Sequence, residues 1–148
     1  MSITKIWQKK ILIIDDEPDI IKMVIDQLTA EGFDTASASD GESGYYKAFK
    51  VLPDVILMDV EMPGWNGIYT ADQLHSEHAT TNIPIIFLTG LGDESIPVKY
   101  LEQRNYFVLI KPFRAEELLA ILSNNLGMQG LTTESLAGRV KPSLDINC

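Results

Sequence analysis

Three aspartates, Asp15, Asp16 and Asp59, each stand where a short apolar run ends on its C-terminal side. The runs are Ile11-Leu12-Ile13-Ile14 and Val55-Ile56-Leu57-Met58. Continuous apolar runs of this length read as strands buried on both faces, as in a parallel sheet. Open parallel sheets bind ligands at the carboxyl ends of their strands. Two strands ending in Asp therefore bring several anions to one edge. Crowded carboxylates raise one another's pKa unless a cation lies between them, so the cluster reads as a divalent metal site. Thr89 and Lys111 end two more apolar runs and are followed by Gly90 and Pro112. A carboxylate, a hydroxyl, an ammonium and an acidic pair are the parts needed for phosphoryl transfer to Asp. Mg²⁺ prefers carboxylate, carbonyl and water ligands and would neutralise phosphoryl oxygens. The ammonium and hydroxyl would bind the remaining oxygens.

The elements that must hold these residues alternate along the chain. Strands are expected at Ile11–Asp15, Asp34–Ala38, Val55–Asp59, Ile83–Thr89 and Tyr106–Ile110. A helix is expected at Pro18–Glu31, with Pro18 in the first turn, Ile21, Val24, Ile25 and Leu28 at helical spacing, and Gly32 at the C-terminal end. Others follow at Glu42–Val51, closed by Pro53, and at Ile68–Ser76, with Ala71 and Leu74 inward. A fourth spans Ser95–Gln103, with Pro97 in its first turn. The last spans Ala115–Leu126 and buries Leu118, Leu119 and Leu122. Met62-Pro63-Gly64 and Asn66-Gly67 mark a tight loop. The alternation predicts an α/β fold: a doubly wound, five-stranded parallel sheet in a flavodoxin-like (βα)5 sandwich. Residues 1–126 form the folded domain, and 127–148, with Gly, Ser and Thr but no sustained period, read as a flexible tail or linker start.

Composition narrows the function classes. The chain has 148 residues, 45% hydrophobic and 22% charged, the balance of one soluble globular domain. A net charge of -9 argues against binding nucleic acid or an anionic membrane. No apolar run is long enough to span a bilayer. The basic start, Met1 to Lys10, precedes an apolar stretch cut short by Asp15-Asp16-Glu17, too short for a signal-peptide core. Cys148 is the single cysteine and reads as a passive thiol, which fits a reducing, cytoplasmic setting.

The motifs Asp15-Asp16-Glu17-Pro18, Asp59-Val60-Glu61-Met62-Pro63-Gly64 with Asn66-Gly67, Thr89-Gly90 and Lys111-Pro112-Phe113 together resemble the receiver domain of two-component response regulators. The resemblance runs from about Lys10 to about Leu126. Each motif alone is modest; their order and strand-end placement are highly specific. The resemblance implies that Asp59 is the phosphoacceptor. It implies Mg²⁺ bound directly by Asp16 and mainly through water by Asp15, with Asp59 and the backbone carbonyl of Glu61 as further ligands. Thr89 would swing toward the phosphoryl group and Lys111 would pair with it. The Lys111–Pro112 bond would be cis, returning the lysine to the site as the chain turns into the last helix. The phosphodonor would be a histidine kinase or a histidine phosphotransfer protein in a phosphorelay. Signal transduction would then run to a downstream protein or a C-terminal output domain, with phosphorylation-dependent dimerisation as a further partner mode. No enzymatic activity is expected beyond self-catalysed aspartyl phosphorylation and dephosphorylation.

The chain departs from the family pattern at one informative place. Receivers often carry Tyr or Phe three residues before the Lys; here that position is Val108, with Tyr106 and Phe107 in other registers. The aromatic relay is therefore expected to be weakened while phosphorylation is not. Arg114 also stands where a polar cap often precedes the final helix. Two other readings compete. A Mg²⁺-dependent phosphohydrolase with an Asp nucleophile uses similar groups, and Glu61 imitates its second acid, but no late acidic pair follows Lys111. A degenerate receiver acting only as a protein-binding module would not need the intact Asp, Thr and Lys set. Asp16 alone could be a helix N-cap. Trp65 is open between a surface anchor and a cover for the site. His75 and His78, three apart without an acidic partner at suitable spacing, do not make a zinc site.

Overall fold

The structure is a computed structural model and describes residues 9–90, Leu101 and residues 106–127. Its strands are β1 (Lys10–Ile14), β2 (Asp34–Ala38), β3 (Val55–Asp59), β4 (Ile85–Gly90) and β5 (Phe107–Lys111). Its helices are α1 (Pro18–Ala30), α2 (Gly41–Val51), α3 (Gly67–His75) and α4 (Ala115–Leu126). All strand pairs are parallel, in the order β2-β1-β3-β4-β5. This is the flavodoxin-like sheet expected from the alternation. Except for Leu101, which is buried, the helix expected at Ser95–Gln103 lies outside the described residues, as do residues 128–148 of the expected tail.

The apolar runs are continuous because the sheet is covered on both faces. Successive strand side chains point to opposite faces. Ile11, Ile13, Leu57 and Leu88 pack with Val24 and Leu28 of α1 and with Leu118 and Leu122 of α4. Leu12, Ile14, Ile56, Met58 and Phe87 pack with Ala48 of α2 and with Ala71 and Leu74 of α3.

Several element ends differ by one or two residues from those expected, for local reasons. Pro84 precedes β4, which begins at Ile85 rather than Ile83, and its carbonyl accepts the Ile56 N–H at 3.0 Å. Tyr106 lies just before β5, which instead runs on to Lys111. Gly32 follows the α1 cap with φ of 95°, and its N–H and that of Phe33 close on Thr29 and Leu28 carbonyls. Asp16 does not cap α1: Glu17 occupies that position, and Asp15 Oδ1 accepts the Glu17 N–H at 2.9 Å. Before α4, Arg114 is the capping residue, and its N–H donates to the Glu117 carboxylate at 2.9 Å.

Candidate functional site

Pairing register determines which strand ends meet. Ile14 pairs with Met58, so Asp15 and Asp59 both follow from adjacent positions of β1 and β3. Asp59 pairs with Leu88, which places Thr89 one step further along β4, and Gly90 pairs with Lys111. Asp15 and Asp59 share the strand phase of Ile13 and Leu57, on the α1 and α4 side of the sheet.

Lys111 joins the edge together. The Lys111–Pro112 bond is cis, and the lysine Nζ lies 3.1 Å from Asp15 Oδ2, 3.2 Å from Glu17 Oε1 and 3.5 Å from Asp59 Oδ1. Asp15 is fully buried and Asp59 is 6% exposed. Burial raises the Asp15 pKa against the opposing pull of the Glu17 N–H and Lys111. Burial, and then the charge of Asp15, push Asp59 up to about 7, with Lys111 opposing them and Asp16 adding to the rise. Burial alone would pull the Lys111 ammonium down; its hydrogen bond to Asp15 and the charges of Asp59 and Asp15 leave it above its ordinary value.

The acids that gather are not only those singled out in the sequence. Carboxylate oxygens of Asp15, Glu17 and Asp59 lie within 4.8 Å of one another, a grouping able to hold a metal ion. In the sequence Glu17 stands only as part of the Asp15-Asp16-Glu17-Pro18 motif. Its signal was its position two residues beyond Asp15, where the turn into α1 carries its side chain back over the strand ends. Asp16 is exposed and lies near enough to Asp59 to raise its pKa. Glu61 is exposed in the loop after β3. Thr89 is 8% exposed, and its hydroxyl makes a long 3.5 Å contact with the Gly90 carbonyl. The loop after β3 is braced from α3: the Gly67 N–H donates to the Val60 carbonyl at 2.8 Å, and a Cβ at Gly67 would collide with the Asp59 carbonyl oxygen.

The remaining candidates lie elsewhere. Trp65 packs edge-on between Tyr45 and Tyr69, at ring distances of 5.5 and 5.0 Å, in an aromatic group on α2 and α3. His75 bonds the Tyr106 hydroxyl, and His78 is exposed.

Residues 11–123 match the family model described as the response regulator receiver domain. The chain belongs to that family. This receiver domain is 35% identical over 113 residues to the DNA-binding response regulator MtrA of Mycolicibacterium smegmatis, an alignment covering 76% of this chain and 48% of MtrA. It thus spans about half the length of that relative. Among solved structures it is similar to Vibrio cholerae chemotaxis protein CheY4, with a TM-score of 0.72 and 33% identity over 80% of this chain and 99% of that one. The receiver domain of sensor histidine kinase PA1611 from Pseudomonas aeruginosa superposes with a TM-score of 0.72 at 27% identity, covering 81% of this chain and 98% of its own. That structure carries a magnesium ion coordinated in its active site cleft. The acidic edge of the present receiver is of the kind a phosphoacceptor site requires. No helix among its described residues is long and apolar enough to cross a membrane.

Proposed function

We propose that this receiver accepts a phosphoryl group on Asp59 from a histidine kinase or histidine phosphotransfer protein and changes its interaction surface in response. The observation that carries the reading is Lys111 Nζ bridging Asp15 and Asp59 at the strand ends, 3.1 and 3.5 Å away. Asp15, Asp16, Asp59 and the Glu61 carbonyl are the proposed Mg²⁺ ligands. The fit rests on donor chemistry: hard carboxylate oxygens, crowded enough to push Asp59 up to about 7, invite a divalent cation. When bound, Mg²⁺ supplies positive charge to the phosphoryl oxygens.

The chain's own groups do the rest. An ionised Asp59 oxygen attacks phosphorus, the O–P bond forming as the P–N bond to the donor histidine breaks. The leaving imidazole nitrogen keeps the electron pair of that bond. Lys111 exchanges its bond to the Asp59 carboxylate for one to a phosphoryl oxygen, which keeps its charge beside the anion. The Thr89 hydroxyl turns from its long contact with Gly90 and donates to another phosphoryl oxygen. Positioned charge, rather than covalent help, dominates phosphoryl transfer of this type. The same groups support slow self-dephosphorylation by water. The protein is proposed to work in the cytoplasm, with residues 1–126 as the receiver and 127–148 as a tail or linker start toward a downstream protein or output domain.

Acetyl phosphate with Mg²⁺ tests the reading. It is expected to give one acid-stable, base-labile phosphoryl adduct, lost in Asp59→Asn. Labelling of Asp59→Asn at wild-type yield would exclude Asp59 as the acceptor.

A further inference from the structure

Val108 has no ring to rotate, yet an aromatic side chain two residues earlier is firmly placed. Tyr106 is 3% exposed, and its hydroxyl lies 2.9 Å from His75 Nδ1 and 3.5 Å from Asp72 Oδ1. Its ring stacks on His75 at 5.1 Å and meets the edge of Phe87 at 5.0 Å. His75 Nε2 lies 3.2 Å from the Ile83 carbonyl and so carries the proton, leaving Nδ1 to accept from the tyrosine hydroxyl.

These contacts close a mechanical circuit. The first residue of α3, Gly67, donates its N–H to the Val60 carbonyl and lies closely against the Asp59 carbonyl. The last, His75, is tied to Tyr106, the residue just before β5. The end of β5 is Lys111, which bonds Asp59. Lys111 and the Asp59 loop are thus linked to α3 by contiguous contacts, one at each end of the helix. Tightly packed elements shift as units rather than deforming continuously.

We propose that the Tyr106–His75 hydrogen bond is the output joint of this receiver, carrying the change at Asp59 to the C-terminal end of α3. Tyr106 is a positioning residue, and the responsive surface is the end of α3 with half-buried His75 and exposed Ser76. The inference rests on Asp59 being the phosphoacceptor. The contacts supply contiguity; coupling is what the experiment measures.

The test uses the full chain with Mg²⁺ and beryllofluoride as the phosphoryl mimic, read by NMR at the His75 ring, the Ser76 amide and the Thr89 amide. In the wild type all three are expected to shift. In Tyr106→Phe the His75 and Ser76 shifts should fall at least threefold while the Thr89 shift and acetyl phosphate labelling persist. His75→Leu should silence Ser76, and His75→Gln, which keeps an acceptor for the hydroxyl, should restore part of its response. These two variants read the joint even if Tyr106→Phe does not fold. Shifts of equal size in Tyr106→Phe, or a wild type in which Thr89 moves and His75 and Ser76 do not, would overturn the joint. No Thr89 shift and no labelling would instead remove the phosphoacceptor reading, and the joint with it.

Discussion

Asp59 sits where its own charge is unwelcome. Buried beside Asp15, it is pushed up to about 7 from an ordinary carboxylate value of 3.8. Between those two pH values the folded chain holds a proton that the unfolded chain releases, so stability falls as pH rises through that window and levels off above it. In metal-free protein, Asp59→Asn is therefore expected to stabilise the fold at pH 8 by about 1–2 kcal/mol and by almost nothing near pH 3.5. Urea denaturation at the two pH values checks this; an equal gain at both would mean that crowding is not its source. Lys111 is the counterpart. Lys111→Met leaves Asp15 and Asp59 without the ammonium, at an expected cost of about 2–4 kcal/mol in EDTA. Mg²⁺ should recover part of that loss in the same assay, because a divalent cation meets the same need.

At the scale of elements, α3 is positioned by close approach more than by hydrophobic area. Its buried face is small, with Ala71 and Leu74 fully enclosed and Thr70 bonded back to the Asn66 carbonyl at 2.8 Å. The Asn66 side chain caps the helix by accepting the Tyr69 N–H at 2.8 Å. Gly67 then lies against the Asp59 carbonyl, where backbone cannot yield to an added methyl. Gly67→Ala is expected to cost about 2–4 kcal/mol and to slow acetyl phosphate labelling, since relief of the clash must move either α3 or the phosphoacceptor loop. A denaturant melt and a labelling time course measure both; normal labelling in a destabilised variant would mean that α3 alone gives way.

For the whole molecule, folding and metal binding share one equilibrium, because the site exists only when β1, β3 and β5 are assembled. A ligand that binds only the folded state at a hundred times its dissociation constant adds about 2.7 kcal/mol. Mg²⁺ is expected to stabilise the wild type accordingly, Asp15→Ala less and Asp16→Ala least, as read by calorimetric melting with and without the ion. A full Mg²⁺ effect in Asp16→Ala would move the metal toward Asp15, Glu17 and Asp59, the three acids the fold gathers most closely.

The strands, their order class and the strand-end placement of Asp15, Asp59, Thr89 and Lys111 were determined by sequence alone. Apolar runs bounded by breakers report local backbone state, and a parallel sheet exposes the same edge of every strand. The inward faces of α3 and α4 were legible for the same reason, through helical spacing. Tertiary structure decided what periodicity cannot express. Asp15 and Asp16 are neighbours in sequence, yet the first is buried against Lys111 and the second is exposed, an asymmetry hidden because both faces of β1 are covered. Glu17 joined the site through the direction of the turn into α1. Trp65, which the sequence allows as either anchor or cover, packs in an aromatic group with Tyr45 and Tyr69. Tyr106 and His75 meet across 31 residues, where the end of α3 comes to lie beside the residue that precedes β5. Such a contact depends on where two whole elements come to rest, and no local pattern in the chain encodes it.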